Sequence, residues 1–330
     1  MMMRIAILGF GSVGQGIARA ILAKNLNITV TGLADSRSGI VDAGGIDLLA
    51  ALARKGNGDP CGIPGVSPAD VVAKAEYDVL VEVTPTNVET AEPALGHIRG
   101  ALRRHKHVVT SNKGPIALAY SELRSLAEAN GVVLKYEATV CGAIPLIHAI
   151  KEGLAGNAIS RLYGVFNGTC NYILTRMAAE GLTYEQALAE ARELGYAEAD
   201  PTYDVEGIDA AIKLVILANT ILNMQTTLDD VERTGITLLT PDALRLAEDQ
   251  DCTIRLIGEI VPEAGVLRVS PRIVAKAHPL VVEGTLNAVT VETDLAGDLT
   301  FIGKGAGSTE TASAVIGDLL YIHDRYVQGS

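Results

Sequence analysis

The sequence predicts an α/β fold in which a parallel sheet is followed by a second, α+β domain built on an open sheet. Three observations carry this. Short apolar runs at 5–8, 28–34, 78–83, 108–110 and 132–137 are interleaved with helical patterns, the alternation that builds a parallel sheet. From 252 to 301 strands alternate with Gly and Pro turns, which reads as an open sheet. A length of 330 residues with 48% hydrophobic content suffices for two cores.

The first run leads into Gly9-Phe10-Gly11-Ser12-Val13-Gly14 and then a helical pattern through Lys24. A GxGxxG alone is weak evidence. Here a strand precedes it, a helix follows, and a second strand, Ile28–Ala34, ends in Asp35 about twenty residues on, which makes a dinucleotide fingerprint of the Rossmann type. Glycine lets the backbone approach a pyrophosphate whose charge the helix N-terminus meets. Asp35 suits the ribose hydroxyls of NAD, whereas Ser36 and Arg37 suit the 2′-phosphate of NADP, with Lys55 or Arg54 closing from the next segment. Use of both cofactors is therefore expected.

The strand Asp78–Val83 ends in Thr84-Pro85-Thr86-Asn87, and the strand Val108–Thr110 in Ser111-Asn112-Lys113-Gly114-Pro115. Ligands of open α/β sheets bind beyond the carboxyl ends of the strands, so Thr84 and Lys113 are placed at the cleft. Without a ligand, Asn112 would be a helix cap and Lys113 a solvated loop residue. At Glu137–Pro145 a glycine-containing turn opens the second half and reads as a hinge. Strand Ile159–Val165, the turn Asn167-Gly168-Thr169 and helices at about 170–180, 184–194 and 207–222 follow.

The stretch Gly195–Lys213 organises that second half. Its helix is apolar on nearly every side, so it should be buried. Asp209 and Lys213 interrupt it at i and i+4, stacked on one face. Glu198, Asp200, Asp204 and Glu206 crowd the approach. A lone Asp/Lys pair is more often a capped helix start than a site. Burial shifts that balance, because buried ion pairs seldom stabilise a fold while active sites use acids and amines held in dry pockets.

Composition excludes several classes. With 27 basic against 39 acidic residues the net charge is −12, which argues against nucleic acid or an anionic membrane as a partner. No apolar run approaches the roughly 18 residues of a membrane span, so a cytoplasmic protein is expected. The four cysteines lack CxxC spacing and read as free thiols. The six histidines lack metal-ligand spacing.

Ala191, Gly195, Tyr196, Ala197, Asp200-Pro201, Asp204, Val205, Gly207, Asp209 and Lys213 fall in the order and spacing of the homoserine dehydrogenase signature. The glycine fingerprint, VVTSNKGPIAL (108–118), YEATVCGAIPLI (136–147), VFNGTCNYIL (165–174), GTLNAV (284–289) and GKGAGSTETASAVIGD (303–318) resemble the same family, which the chain matches over essentially its whole length. The resemblance is to the short form without a C-terminal regulatory domain, and implies weak or absent feedback inhibition by threonine through such a domain; a threonine inhibition constant well below cellular levels would overturn that.

The resemblance implies NAD(P)-dependent interconversion of L-homoserine and L-aspartate 4-semialdehyde in threonine, methionine and isoleucine biosynthesis. Lys113 and Lys213 would be the acid–base pair, and Glu198 and Asp209, with Gly168 and Thr169, would hold the substrate. Gly305 would join the cofactor residues, and backbone carbonyls of Glu137, Val140, Gly142 and Ile144 would bind sodium or potassium. The dinucleotide domain would comprise 1–137 and 303–330, with 138–302 the catalytic and dimerisation domain of a homodimer.

The chemistry fits independently of the family. A primary alcohol needs a group to take its proton as hydride leaves, and lysine serves if its pKa falls from about 10.4 towards 7–8, as burial and a second ammonium favour. Two rivals remain. A semialdehyde dehydrogenase would use Cys141 to form a thioester, but no histidine-bearing motif accompanies that cysteine and the Asp209/Lys213 helix would be unexplained. A dinucleotide-binding module without turnover would leave both lysines idle.

Overall fold

Alternation of buried residues along the first strand sets the core of the N-terminal half. In a computed structural model that describes residues 2–327, β1 (Met3–Leu8) turns Ile5 and Ile7 into one apolar cluster and Ala6 and Leu8 into another, so both of its faces are covered. Around it lie β2 (Ile28–Ala34), β3 (Ser38–Val41), β4 (Ile63–Pro64), β5 (Val79–Glu82), β6 (His107–Thr110) and β7 (Leu134–Lys135) in the order β4-β3-β2-β1-β5-β6-β7. The block β2-β1-β5-β6-β7 is parallel, as the interleaved pattern requires. Strands β3 and β4 add an antiparallel edge that the sequence pattern does not reveal. They are too short, at four and two residues, to show a period.

The described chain divides into two compact units. One runs to Gly142 and resumes at Gly307; the other is Ala143–Ala306. Residues 138–142 therefore lie with the first unit and 303–306, including Gly305, with the second. Helix Ser308–Ile322 packs on helix Ser12–Lys24, where a Cβ on Gly16 would come within 2.7 Å of the Ser308 carbonyl oxygen.

That last helix buries Asp318, which accepts the Glu137 N–H at 3.0 Å. Burial raises its carboxyl to about 6, against the pull of that hydrogen bond and of Lys135. A carboxyl raised in the folded state weakens the fold above its folded pKa, and the penalty vanishes below the unfolded value near 3.8. Asp318→Asn should therefore raise the unfolding free energy at pH 7.5 by roughly 2–3 kcal/mol, since each tenfold change in a protonation equilibrium is worth about 1.4 kcal/mol. Urea denaturation should show the gain shrinking as pH falls from 6 towards 4; a gain unchanged at pH 4 would refute it.

The second unit is organised by its sheet, β13-β12-β8-β10-β11-β9. These strands are β8 (Ile159–Val165), β9 (Glu232–Arg233), β10 (Cys252–Val261), β11 (Val266–Ala275), β12 (Leu286–Thr293) and β13 (Gly297–Lys304). All pairings are antiparallel except β11 with β9. Helix Ile208–Thr220 buries residues on all sides, as its apolar composition predicts, and packs on β10 and β11. Among the described residues no helix is long and apolar enough to cross a membrane.

Candidate active site

In the second unit, β8 delivers Phe166 and Asn167 to the start of helix Gly168–Glu180. Asn167 caps that helix, its Oδ1 accepting the Cys170 N–H at 2.8 Å. The same side chain turns its amide inward and donates to Asp204 Oδ1 at 2.7 Å and to Asp209 Oδ2 at 2.9 Å. Lys213 donates to that Asp209 oxygen at 2.7 Å and to the Phe166 carbonyl at 2.7 Å. Asn287, from β12, donates to the same carbonyl at 3.0 Å. Asp209 and Lys213 are 4% and 6% exposed, so this is an ion pair in a dry setting rather than a surface helix pair. The Lys213 ammonium is engaged by these two acceptors.

The neighbours respond to the same burial. Burial pushes the Tyr203 phenol up, and the Asp209 carboxylate adds to it. Burial likewise pushes the Cys170 thiol well up, reinforced by Asp204 and Asp209, so Cys170 stays a thiol that donates to the Asp204 carbonyl at 3.1 Å. Cys141, the nucleophile of the rival reading, is buried.

Of the predicted substrate residues, Asp209 lies in this cluster. Gly168 starts the helix beside it, where a Cβ would come within 2.7 Å of the Thr285 carbonyl oxygen, and the Thr169 hydroxyl donates to the Tyr196 carbonyl at 2.8 Å. Glu198 is exposed on the turn 195–200. The acids thus split: Asp204 and Asp209 are bridged by Asn167, Glu206 accepts from the Thr237 hydroxyl, and Glu198 and Asp200 face solvent. Asn167 and Asn287 are the residues sequence reasoning missed. In the sequence Asn167 reads only as part of the turn Asn167-Gly168-Thr169.

In the first unit the fingerprint forms a sharp strand-to-helix turn. Gly9 has φ +98°, and a Cβ there would lie 2.4 Å from the Val83 carbonyl oxygen; one on Gly14 would lie 2.0 Å from the Gly9 carbonyl oxygen. A Cβ on Gly11 would meet nothing within 4 Å. Gly9 and Gly14 are thus demanded by the fold, while Gly11 faces open space at the N-terminus of helix Ser12–Lys24, whose first turn carries no acid. That cradle fits a dinucleotide pyrophosphate. Phe10 is buried and Ser12 is exposed, while Val13 is partly buried against the core.

Asp35 directly follows β2, with both oxygens occupied. The Arg37 N–H and the Ser38 hydroxyl donate to Oδ1 at 2.9 and 3.0 Å, and Lys55 to Oδ2 at 2.8 Å. Burial would raise this carboxyl, but the hydrogen bonds from Lys55, Arg37 and Ser38 outweigh it and hold it at about 2. Lys55 therefore pairs with Asp35, while Arg37 reaches the Gly58 carbonyl at 3.3 Å from an exposed position next to exposed Ser36.

Lys113 is the first residue of helix Lys113–Ala129 rather than a loop residue, because Asn112 caps that helix by accepting the Gly114 N–H at 3.2 Å. Thr84 lies just beyond β5 and is bonded to Asn112. Glu137 begins a 3₁₀ turn, and its carbonyl accepts the Val140 N–H at 3.4 Å. Gly142 follows Cys141, both in the left-handed region. The Ile144 carbonyl, in the second unit, accepts the Leu146 N–H at 2.8 Å.

Comparison with known proteins covers both parts of the chain. Residues 9–137 match the family model for the homoserine dehydrogenase NAD binding domain, and 145–320 that for homoserine dehydrogenase. The chain is 47% identical to a homoserine dehydrogenase of Methanocaldococcus jannaschii, covering 98% of this chain and 99% of the relative. It is 38% identical to an NAD(+)-dependent homoserine dehydrogenase of Pseudomonas canavaninivorans, over 97% and 96%. Among solved structures, a putative homoserine dehydrogenase from Archaeoglobus fulgidus superposes with a TM-score of 0.91 at 49% identity, covering 97% and 99%. A hyperthermophilic archaeal homoserine dehydrogenase in complex with NADPH gives 0.84 at 31%, covering 99% of each chain.

Proposed function

Because the chain belongs to the homoserine dehydrogenase family, we propose that Lys113 and Lys213 divide the acid–base work of its reaction and that Asp209 holds the substrate ammonium. The enzyme is an NAD(P)-dependent oxidoreductase that interconverts L-homoserine and L-aspartate 4-semialdehyde. The observation that supports the assignment of roles is the buried Asp209–Lys213 pair, tied to Asp204 through Asn167. When bound, the nicotinamide accepts or returns the hydride. The protein's part is to hold the amino acid and move the hydroxyl proton: a lysine takes it during oxidation and returns it in the reverse direction. Carboxylates suit the substrate's ammonium, and Glu198, Gly168 and Thr169 complete the proposed substrate set.

Initial rates with L-homoserine and each cofactor, followed at 340 nm, test the reading; no absorbance change with either would refute it. The same assay addresses the ion. Sodium or potassium on the carbonyls of Glu137, Val140, Gly142 and Ile144 should make activity fall when both are replaced by a bulky organic cation, and indifference would remove the ion. In the cofactor set we include Gly9 to Gly14, Asp35, Ser36, Arg37, Thr84, Lys113 and Gly305. We further propose a homodimer in the cytoplasm, using one face of the second unit's sheet; sedimentation at twice the 34.5 kDa chain mass and recovery in the cytosolic fraction would support it.

Cofactor choice turns on Lys55. With its charge neutralised by Lys55, Asp35 repels a 2′-phosphate less than a bare carboxylate would, and Arg37 can fork onto that phosphate. Arg37→Ala should weaken NADP(H) by roughly 1.5–3 kcal/mol, the range for hydrogen bonds to charged groups, and leave NAD(H) almost untouched. Fluorescence titration with both reduced cofactors decides this, and equal losses would show that Arg37 does not read the phosphate.

A further inference from the structure

Among the described residues Glu82 is the one carboxylate buried at 0% exposure, and nothing in the reaction described above uses it. It ends β5. Val79 and Val81 turn to one apolar cluster and Leu80 to the other, so Glu82 shares the Leu80 face, on which helix Ala94–Arg103 packs. From that helix the His97 Nδ1 approaches Glu82 Oε1 at 3.6 Å. Neither His97 Nδ1 nor Glu82 Oε2 has a hydrogen-bond partner among the described residues. An ionisable group so placed works against stability, and an apolar side chain would serve the core better.

What the carboxylate does hold is a loop. Oε1 accepts the Thr84 N–H at 3.3 Å and also the Thr84 hydroxyl. Thr84 in turn accepts from the Asn112 amide, at 3.1 Å on its carbonyl and 3.4 Å on its hydroxyl, and that amide also reaches the Pro85 carbonyl at 3.3 Å. Asn112 donates its N–H to the Thr110 hydroxyl at 2.9 Å, which donates to the Glu82 carbonyl at 2.9 Å. The circuit is closed, lies wholly in the first unit, and joins the carboxyl ends of β5 and β6. Asn112 is also the cap of the helix whose first residue is Lys113.

We infer that Glu82, backed by His97, is a positioning residue that fixes Thr84 and, through Asn112, the backbone from which Lys113 projects. This rests on the reading of Lys113 as an acid–base residue. Burial makes the device effective: a carboxylate without solvent has no competing donors, so the Thr84 backbone and hydroxyl are its fixed partners.

The test is a double-mutant cycle. Glu82→Leu, which removes the acceptor while keeping bulk, should lower kcat about tenfold or more, within the roughly 10²-fold that a misplacement of ~1 Å costs. Glu82→Gln keeps an acceptor oxygen for Thr84 and should stay within about threefold of the parent. In a Lys113→Ala background, Glu82→Leu should cost less than about twofold further, because the group it positions is gone. If Glu82→Leu fails to fold, Thr84→Val, which breaks the same circuit at the hydroxyl, takes its place. Parental turnover in the Glu82→Leu or Thr84→Val enzyme, or losses that multiply in the cycle, would overturn the inference, while a Lys113→Ala enzyme slowed about 10²-fold would leave the acid–base reading intact. Parental turnover in Lys113→Ala itself would instead overturn that reading, and the inference with it.

Discussion

Lys213→Ala should lower kcat for homoserine oxidation by at least about 10²-fold, the usual scale of acid–base contributions, while dinucleotide affinity changes little. The reason is local. The amine is buried, fixed by Asp209 and the Phe166 carbonyl at 2.7 Å each, and spans no part of the glycine fingerprint. The substitution has a second effect that must be separated from the first. Removing one partner of a buried ion pair leaves Asp209 poorly compensated, at a cost of about 3 kcal/mol or more in stability. Asp209→Asn combined with Lys213→Ala removes both charges and should recover much of that stability without recovering turnover. Thermal melts beside single-turnover rates distinguish the two effects. A double mutant that regained activity along with stability would mean that Lys213 serves the fold alone. Lys113→Ala should show a loss in kcat of the same scale.

Gly9→Ala and Gly11→Ala should fail in different ways. At Gly9 a methyl would sit 2.4 Å from the Val83 carbonyl oxygen at a φ of +98°, so strain and overlap combine to cost on the order of 3 kcal/mol or more in stability. Cofactor binding falls with it, since β1 and β5 must separate to make room. At Gly11 the φ of −87° is ordinary and the space is empty, so the melting temperature should hold within about 2 °C, a shift matching the few tenths of a kcal/mol typical of surface changes. Yet that empty space is where the pyrophosphate approaches, so dinucleotide affinity should drop at least about tenfold, or roughly 1.4 kcal/mol. Calorimetric binding of NADH and NADPH, read beside the melts, checks both. Undiminished affinity in Gly11→Ala would move the cofactor away from this turn.

Neighbouring residues in the chain carried much of the design. The fingerprint is legible because a strand, a tight turn and a helix are consecutive, and each leaves its own period and its own glycines in the sequence. Asp209 and Lys213 are legible for the same reason: an i, i+4 spacing within a helix guarantees that the two stand on one face, and an apolar surround announces burial. The edge strands β3 and β4 left no such trace.

What the tertiary structure alone decided is which partner each polar group meets. Lys55 could have joined Arg37 at the ribose; instead it closes on Asp35, twenty residues away. Asn167 reads as part of a turn; in the structure it caps a helix, and its amide reaches Asp204 and Asp209, 37 and 42 residues on. Glu198 shares a motif with Asp209 and still ends on an exposed turn. Periodicity encodes only which face a residue takes. The donor a buried carboxylate meets depends on which strand end is packed against it, and that is settled when β8, helix Gly168–Glu180 and helix Ile208–Thr220 close around one core.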